Sequence, residues 1–328
     1  MSQNDIYDLI IVGGGPGGLT AGIYAMRAAL KTVLIEKGLT GGQITLSDEV
    51  ENWPGTERIK GADLAMNFTQ HAQSYGLEIL NREVVAVEPG RELHTVVLDN
   101  KERLSAHAVI LSTGGNPRKL NIPGEETNYG KGVSYCAVCD GFFFRNKTVV
   151  VIGGGDSAAE ESLYLAKLAK QVYIVHRRDA LRAGMLLQQR VKDECKIEIL
   201  WNSIPTAINS DDGGVCSVAL QDTKTGEKKE VVTEGVFIFI GFDPNNGLVP
   251  PDVRLNPNGQ VITDHKCETN VPGMFAIGDL REKYARQIIT AAADGATAAL
   301  AAAHHVETKK AAAACEAPAG LFSETVGG

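Results

Sequence analysis

Short runs of apolar, β-branched residues alternate along the chain with longer stretches of helical pattern. Residues 8–12 form one such run, which leads into a glycine-rich turn, a helical stretch to about Leu30 and a second apolar run over 32–36. This order of strand, glycine turn, helix and strand is that of a βαβ unit. The same order returns between 148 and 175. The pattern therefore predicts an α/β protein in which a nucleotide-binding type of unit occurs twice.

Two links rich in glycine, proline and asparagine divide the chain. One follows an apolar run that ends at Leu111, and the other follows a matching run over 236–240. Such clusters mark loops between compact regions. The chain after the second link is too short for a further domain, so we assign it to the first one. We predict two Rossmann-like, three-layer dinucleotide-binding domains, the second inserted in the first. The predicted limits are 1–116 and 245–304 for the first domain, 117–244 for the inserted domain and 305–328 for a weakly helical or disordered tail.

Composition and charge exclude several classes of protein. The 44% apolar and 22% charged residues in a chain of 328 are typical of a globular protein. The net charge of -8 and the absence of a long basic run disfavour nucleic-acid binding. The N-terminal sequence lacks the features of a signal peptide, and no apolar run approaches the ~20 residues of a membrane span. We therefore expect a cytoplasmic protein that binds neither nucleic acid nor a membrane.

The first glycine turn has the setting of a dinucleotide site. It follows a strand and opens a helix, where backbone amides can approach a pyrophosphate. Glu36 falls 23 positions after Gly13, at the end of the second strand, where a carboxylate accepts hydrogen bonds from an adenosine ribose. A plain turn beside a solvated glutamate is the alternative. The residues assigned to this site are Gly13, Gly15, Pro16, Gly17, Gly18 and Glu36.

The second glycine turn has the same spacing and the opposite charge. His176 falls 23 positions after Gly153, and three arginines follow it within six residues. Clustered guanidinium groups bind a 2′-phosphate, which favours NADPH over NADH; basic residues on a solvated strand end are the alternative. Because hydride from a nicotinamide needs an acceptor, we infer that the other dinucleotide is a flavin. The residues assigned to the NADPH site are Gly153, Gly155, Asp156, Ser157, Ala158, His176, Arg177, Arg178 and Arg182.

Cys136 and Cys139 are close enough in sequence to form a small disulfide ring, a spacing that also lowers the pKa of one thiol. In a reducing cytosol such a pair is either redox-active or metal-binding. Structural zinc would need two further ligands, and no second close pair exists among the six cysteines. A redox pair is therefore favoured over a zinc half-site or an idle pair, and no metal is expected. Asp140 could move the accompanying proton, although Asp-Gly is also a common turn.

Taken together, these motifs resemble the low-molecular-weight thioredoxin reductases, from roughly Tyr7 to Ala302. The resemblance implies FAD in the first domain and NADPH in the second. It also implies oxidised thioredoxin as the protein substrate, a homodimer, and rotation of the inserted domain. In this family the equivalent of Cys139 faces the flavin, that of Cys136 meets the partner and that of Asp140 is the acid. The implied flavin contacts are Gly42, Gln43, Asn52, Thr113, Gly114, Gly278, Asp279, Arg286 and Gln287.

The sequence departs from the family pattern at three positions. Val138 stands where threonine is usual, Phe242 where histidine is frequent, and Ser112 where alanine is common. Cys315 in the tail receives no family role. Because no thioredoxin-like region precedes Tyr7, we do not expect the related flavoprotein that reduces peroxiredoxin.

Three other functions stay open at this point. A flavin-dependent dithiol oxidase would have no need of the basic cluster. A ferredoxin-NADP reductase would have no need of the cysteine pair. A non-catalytic redox sensor would use the same cysteines without turnover.

Overall fold

The computed structural model describes residues 6–47 and 49–316, with side chains described up to 312. The helices and strands in chain order are β1 (Ile6–Val12), α1 (Pro16–Arg27), β2 (Thr32–Glu36), α2 (Gly61–Ser74), β3 (Glu78–Asn81), β4 (Val84–Glu88), β5 (His94–Leu98), β6 (Arg103–Leu111), β7 (Gly115–Pro117), β8 (Val133–Ser134), α3 (Ala137–Asp140), β9 (Thr148–Gly153), α4 (Asp156–Ala166), β10 (Gln171–Val175), α5 (Met185–Asp193), β11 (Ile197–Leu200), β12 (Ser203–Asp211), β13 (Gly214–Asp222), β14 (Lys228–Val232), β15 (Gly235–Phe239), β16 (Phe242–Pro244), β17 (Met274–Ala276) and α6 (Ile288–Glu316). Two compact units contain these elements. Within the described residues, unit 1 covers 6–42, 65–114 and 244–316, and unit 2 covers 43–64 (apart from Asp48) and 115–243.

Unit 1 is built on a seven-stranded sheet in the order β3-β2-β1-β6-β5-β4, with β17 paired to β6. The strands β3, β2, β1, β6 and β17 are parallel, and β4 and β5 add an antiparallel edge. Parallel strands are usually covered on both faces, and Leu9, Ile10 and Ile11 of β1 are fully buried. Helices α1 and α6 approach closely, because a Cβ at Gly295 would lie 2.2 Å from the carbonyl oxygen of Gly17.

Unit 2 contains a five-stranded parallel sheet in the order β11-β10-β9-β15-β8 and a three-stranded antiparallel sheet, β12-β13-β14. Successive residues of β9 face opposite sides, as the period of two in a strand requires. Val149 and Val151 belong to a core that includes residues of α4, whereas Val150 and Ile152 belong to a core shared with the antiparallel sheet. The unit therefore has three layers, and the predicted fold class of two Rossmann-like units is confirmed.

The two predicted links become strands β7 and β16, which pair with each other as a two-stranded ribbon. Beside the ribbon, the Arg118 guanidinium donates to the Asp243 carboxylate at 2.7–3.0 Å. The unit boundaries fall at 114/115 and 243/244, next to these links. Residues 43–64, which the sequence-based division places in the first domain, cluster with unit 2.

Residues 305–316 of the predicted weakly helical or disordered tail extend helix α6, which continues to Glu316. Alanine has the highest helix propensity, and the extension is also anchored to unit 1. Val306 is only 1% exposed. The Lys309 ammonium donates to two backbone carbonyls at 2.8 and 3.0 Å, and Lys310 pairs with Asp8 at 2.6 Å. Residues 317–328 and the Cys315 side chain lie outside the described part. In that part, no helix combines the length and apolar character needed to span a membrane.

Candidate active site

Cys136 and Cys139 form a disulfide at the start of α3, with their Cα atoms 5.3 Å apart. β8 ends at Ser134 and leads directly into this turn. Cys136 is the N-cap residue of α3, and its sulfur accepts a hydrogen bond from the Cys139 amide at 3.1 Å. Both cysteines are half-buried, whereas Val138 between them is exposed. The short helix therefore presents the disulfide at the surface of unit 2 with its geometry fixed by the backbone.

Asp140 ends α3 and lies beside the disulfide with its carboxyl group mostly removed from water. Burial raises the pKa of this carboxyl, and a hydrogen bond from the Ser134 hydroxyl at 2.5 Å opposes that shift. A carboxyl group with a raised pKa can donate a proton nearer to neutral pH. The position of Asp140 thus fits the predicted acid-base role.

Ser134 is a member of this site that the sequence did not reveal. Its hydroxyl oxygen accepts from the Cys136 amide at 3.0 Å and lies 3.2 Å from the Cys136 carbonyl oxygen. A hydroxyl has one proton to donate and can also accept. When Asp140 is ionised, the Ser134 hydroxyl donates to its carboxylate. When Asp140 is protonated, its carboxyl group can donate to the Ser134 oxygen, and the Ser134 hydroxyl then donates to the Cys136 carbonyl. Both protonation states of Asp140 are therefore provided with a hydrogen-bond partner.

Glu161 on α4 is the second acidic residue at the disulfide, and no motif in the sequence pointed to it. Its carboxylate accepts a hydrogen bond from the Ala137 amide at 3.1 Å and another from the Val138 amide. Burial raises the pKa of Glu161, and these two hydrogen bonds oppose the shift. Two carboxyl groups with raised pKa values therefore flank the cysteine pair.

The first glycine turn has the shape that a pyrophosphate requires. Gly13 adopts a φ of +106°, and a Cβ there would lie 2.3 Å from the Ser112 carbonyl oxygen. Gly15, in contrast, has open space where a side chain would be. α1 begins at Pro16 with no side-chain cap, so its first backbone amides can receive an anion. Gly17 and Gly18 are buried in the first turn of the same helix.

Glu36 lies at the end of β2 beside this turn, as predicted. Its carboxylate accepts from the Gly14 amide at 2.7 Å and from the Gly38 amide at 3.0 Å. These hydrogen bonds fix the carboxylate next to the phosphate-binding turn, where an adenosine ribose would lie. The residues therefore fit the adenosine diphosphate part of a dinucleotide.

The second glycine turn repeats this geometry in unit 2. A Cβ at Gly153 would lie 2.5 Å from the Phe239 carbonyl oxygen, whereas Gly155 again faces open space. Asp156 begins α4 and accepts from the Gly184 amide at 2.7 Å. Ser157 is exposed and Ala158 is buried in the same helical turn. The second turn therefore leaves the same room for a pyrophosphate at a helix N-terminus.

The four basic residues of the predicted 2′-phosphate site occupy different environments. The His176 ring is buried, and its two nitrogens lie 2.9 Å from the carbonyl oxygens of Gly153 and Ala180. Arg177, Arg178 and Arg182 are exposed, and within the described residues none of them forms an ion pair. The arginines are therefore available to a phosphate, while His176 holds the glycine turn in place.

Gly278 and Asp279 follow the buried strand β17, as the sequence led us to expect, and lie in a short 3-10 helix. Burial raises the pKa of Asp279, although Lys283 and Arg286 favour its ionised form. The Gly278 amide donates to Asp294 at 3.0 Å, a residue of α6 that the sequence analysis missed. Asp294 also pairs with Lys283 at 2.7 Å and with Arg281 at 2.9 Å. This network fixes the loop that carries Asp279.

The remaining implied flavin contacts lie in loops and at a helix start. Gly42 begins a 3-10 helix, and the Gln43 amide group donates to Asn116 at 2.8 Å. The Gln287 backbone amide donates to the Thr290 hydroxyl at 3.2 Å, so Gln287 stands directly before α6. The other positions are Asn52 in an exposed loop, Thr113, whose hydroxyl donates to the Asn245 carbonyl at 2.7 Å, Gly114, with a φ of +64°, and the exposed Arg286.

Comparison with known protein families matches residues 7–295 to the pyridine nucleotide-disulphide oxidoreductases. The chain belongs to this family. Among curated relatives, a thioredoxin reductase of Bacillus subtilis is 47% identical over 310 residues, which are 94% of this chain and 97% of the relative. A thioredoxin reductase of Listeria innocua is 44% identical over 316 residues, 96% of this chain and 99% of the relative.

Solved structures of this oxidoreductase family agree with that assignment. Thioredoxin reductase from Streptococcus pyogenes gives a TM-score of 0.90 at 41% identity and covers 93% of this chain and 100% of that chain. Thioredoxin reductase from Giardia duodenalis gives a TM-score of 0.89 at 36% identity, with coverage of 93% and 100%. The resemblance to the low-molecular-weight thioredoxin reductases is therefore confirmed. The roles of individual site residues remain predictions.

Proposed function

We propose that this oxidoreductase reduces the disulfide of oxidised thioredoxin with electrons from NADPH. The observation that carries the proposal is the Cys136–Cys139 disulfide, which lies in the unit that also holds the glycine turn with exposed arginines. The relatives named thioredoxin reductase cover nearly the whole chain at 42–47% identity. Members of this family use a flavin and a nicotinamide cofactor. For this chain the proposed cofactors are FAD and NADPH.

The residues present fit both cofactors. The amides at the start of α1 and the Glu36 carboxylate would suit the pyrophosphate and adenosine of FAD, and the Asp279 carboxylate would suit the hydroxyls of its ribityl chain. The turn before α4 and the exposed Arg177, Arg178 and Arg182 suit the pyrophosphate and 2′-phosphate of NADPH. Bound FAD would supply the carrier that takes hydride from NADPH and passes two electrons to the disulfide.

The chain's own residues carry the exchange with the partner. Reduction of the disulfide gives two thiols at Cys136 and Cys139. Asp140 accepts the proton of the Cys136 thiol, and the resulting thiolate attacks the thioredoxin disulfide, which forms a mixed disulfide and releases one partner thiolate; Asp140 then gives the proton to this thiolate. The Cys139 sulfur then attacks Cys136 and reforms the internal disulfide, and its proton passes to the second partner sulfur, which leaves as a thiol. The sum is NADPH, a proton and oxidised thioredoxin giving NADP and reduced thioredoxin.

The same proposal includes a homodimer in the cytoplasm, on the strength of the family resemblance. Analytical ultracentrifugation of the flavin-loaded protein tests this part separately. A single species with the mass of one chain, at the concentrations used for activity, would contradict the dimer.

Steady-state kinetics test the function. The protein, loaded with FAD, should oxidise NADPH continuously when oxidised thioredoxin is added, and far more slowly with NADH. The double variant Cys136→Ser, Cys139→Ser should lose thioredoxin reduction and keep NADPH-dependent reduction of the flavin, which serves as the matched control. Consumption that stops after one equivalent would support a redox sensor. Full transfer to the natural partner by the double variant would support a ferredoxin-type reductase, and dithiol-dependent oxygen uptake without NADPH would support an oxidase.

A further inference from the structure

Helix α3 begins at the disulfide, and a carboxylate from another helix occupies its first amides. Glu161 accepts hydrogen bonds from the Ala137 and Val138 amides, the first two of α3, while the third amide, from Cys139, points to the Cys136 sulfur. Glu161 is half-buried, and within the described residues no lysine or arginine is paired with it. A carboxyl group therefore occupies the first amides of α3, which are the groups that usually stabilise a cysteine thiolate at a helix N-terminus.

The physical consequence concerns the reduced form of the pair. The free amides of a helix N-terminus stabilise a nearby thiolate and lower the pKa of the thiol. An ionised carboxylate that accepts hydrogen bonds from these amides leaves them unable to stabilise the thiolate. Its negative charge also repels the negative charge of the thiolate. A less stable thiolate disfavours the reduced pair, which makes the dithiol a stronger reductant.

The placement of Glu161 is rigid enough for such an effect. α4 is packed into the core through Ala158, Ser162 and Leu165, and the buried Ser162 hydroxyl donates to the Ala158 carbonyl at 2.6 Å. Glu161 therefore reaches α3 from a fixed backbone. Because α4 also starts at the second glycine turn, one helix joins the nucleotide-binding turn to the disulfide.

We propose that Glu161 is a positioning residue that holds α3 through its first amides and sets the reduction potential of the Cys136–Cys139 pair by keeping the Cys136 thiolate less stable. The proposal rests on the proposed function only in taking this pair as the redox centre. Among the described residues, the titratable groups that act on Glu161 or on Asp140 are Asp140 itself on α3, Glu160 on α4 and Tyr129 before β8. All are neutral or negative, so none of them offsets the charge of Glu161.

Glu161→Gln is the decisive variant, because glutamine keeps an oxygen that can accept both amide hydrogen bonds and loses the charge. Glu198→Gln is the matched control: Glu198 lies on β11, at the opposite edge of the five-stranded sheet from β8, four strand spacings or ~19 Å away. Cys136 is followed by the pH dependence of its alkylation in the reduced protein, read on the Cys136 peptide by mass spectrometry. The equilibrium of the pair with dithiothreitol is measured in parallel.

In Glu161→Gln the pKa of the Cys136 thiol should fall by about one unit. Above that pKa, the equilibrium constant should shift about tenfold toward the reduced pair, which is a potential about 30 mV more positive. Glu198→Gln should match the unsubstituted protein in both measurements. Equal values for Glu161→Gln and Glu198→Gln would overturn the proposal.

A second variant keeps the test decisive if the glutamine variant does not fold. Glu161→Asp retains the charge but is one methylene shorter, so its carboxylate lies about 1.5 Å further from the amides. The Cys136 pKa should then fall by a measurable but smaller amount, and an unchanged pKa would overturn the proposal. Neither NADPH nor thioredoxin enters these measurements, so failure here is distinct from failure of the proposed function.

Discussion

Replacing Ser134 by alanine should change the acid behaviour of Asp140 while both cysteines are kept, although the Cys136 amide also loses its acceptor. The Ser134 hydroxyl is buried and donates to the Asp140 carboxylate at 2.5 Å. In Ser134→Ala the ionised carboxyl loses this donor, while burial continues to disfavour its charge. The pKa of Asp140, already raised by burial, should therefore rise further.

The size of the shift follows from the strength of the lost hydrogen bond. A hydrogen bond to a charged group contributes about 1.5–3 kcal/mol. The protonated carboxyl also loses its hydrogen bond to Ser134, worth about 1 kcal/mol, so the difference is about 0.5–2 kcal/mol. At 1.36 kcal/mol for each pKa unit, this corresponds to an upward shift of roughly 0.4–1.5 units. Because the raised pKa means that the folded protein binds more protons than the unfolded chain, stability should fall as pH rises through this range. The stability deficit of Ser134→Ala should accordingly be larger at pH 8 than at pH 4.

The assay is the pH profile of thioredoxin reduction, with unfolding in urea measured at the same pH values. The limb of kcat/KM that reports Asp140 should move to higher pH in Ser134→Ala. Ser162→Ala is the control, because Ser162 is also buried in unit 2 and also gives up one hydrogen bond, to the Ala158 carbonyl. The reasoning is refuted by equal profiles for Ser134→Ala and the unsubstituted protein, or by the same displacement in both variants.

Three further predictions concern other parts of the molecule. Arg177→Ala should raise KM for NADPH about 10- to 100-fold and leave KM for NADH unchanged, as expected for one charge-assisted contact; equal effects on both donors would contradict the 2′-phosphate assignment. Val306→Ala should lower the unfolding free energy by about 2 kcal/mol, since the side chain is buried in the extended α6; no loss in urea unfolding would refute the anchoring of this extension. Burial lowers the pKa of His94, His107 and His305, so the folded protein binds fewer protons at these rings than the unfolded chain does. The stability that the neutral rings contribute to the folded state is therefore complete above the unfolded pKa of about 6.5 and is lost as pH falls. The melting temperature should drop between about pH 7 and pH 5, and this drop should be smaller in His305→Gln.

The repeated βαβ units could be predicted because local and long-range signals coincide there. A β-branched run, a glycine turn and a helical stretch follow one another at both places, and each strand begins and ends within a few residues of its predicted limits. The glycines carry this information because Gly13 and Gly153 stand where a Cβ would collide with the backbone of the neighbouring strand.

The contacts around the disulfide could not be predicted in the same way. Glu161 lies more than twenty residues from Ala137 in sequence and meets it only because α4 packs beside α3. Ser134 is close to Cys136 in sequence, but a serine two residues before a cysteine has no fixed meaning without the turn that brings it to Asp140. The sequence did not predict how the start of the tail is held, because its alanines show little amphipathic pattern and the contacts that anchor it come from Asp8 and the 91–92 loop.

The pairing of β7 with β16 has a consequence for how such a protein can be assembled from parts. The segment 115–243 enters and leaves through neighbouring strands of one ribbon, so its two ends are adjacent. Segments with adjacent ends are the ones that tolerate insertion into a loop of another protein. The ribbon is therefore the place at which segment 115–243 could be joined to another protein. A chimera that keeps Arg118 opposite Asp243 retains the hydrogen bonds beside the two joined ends.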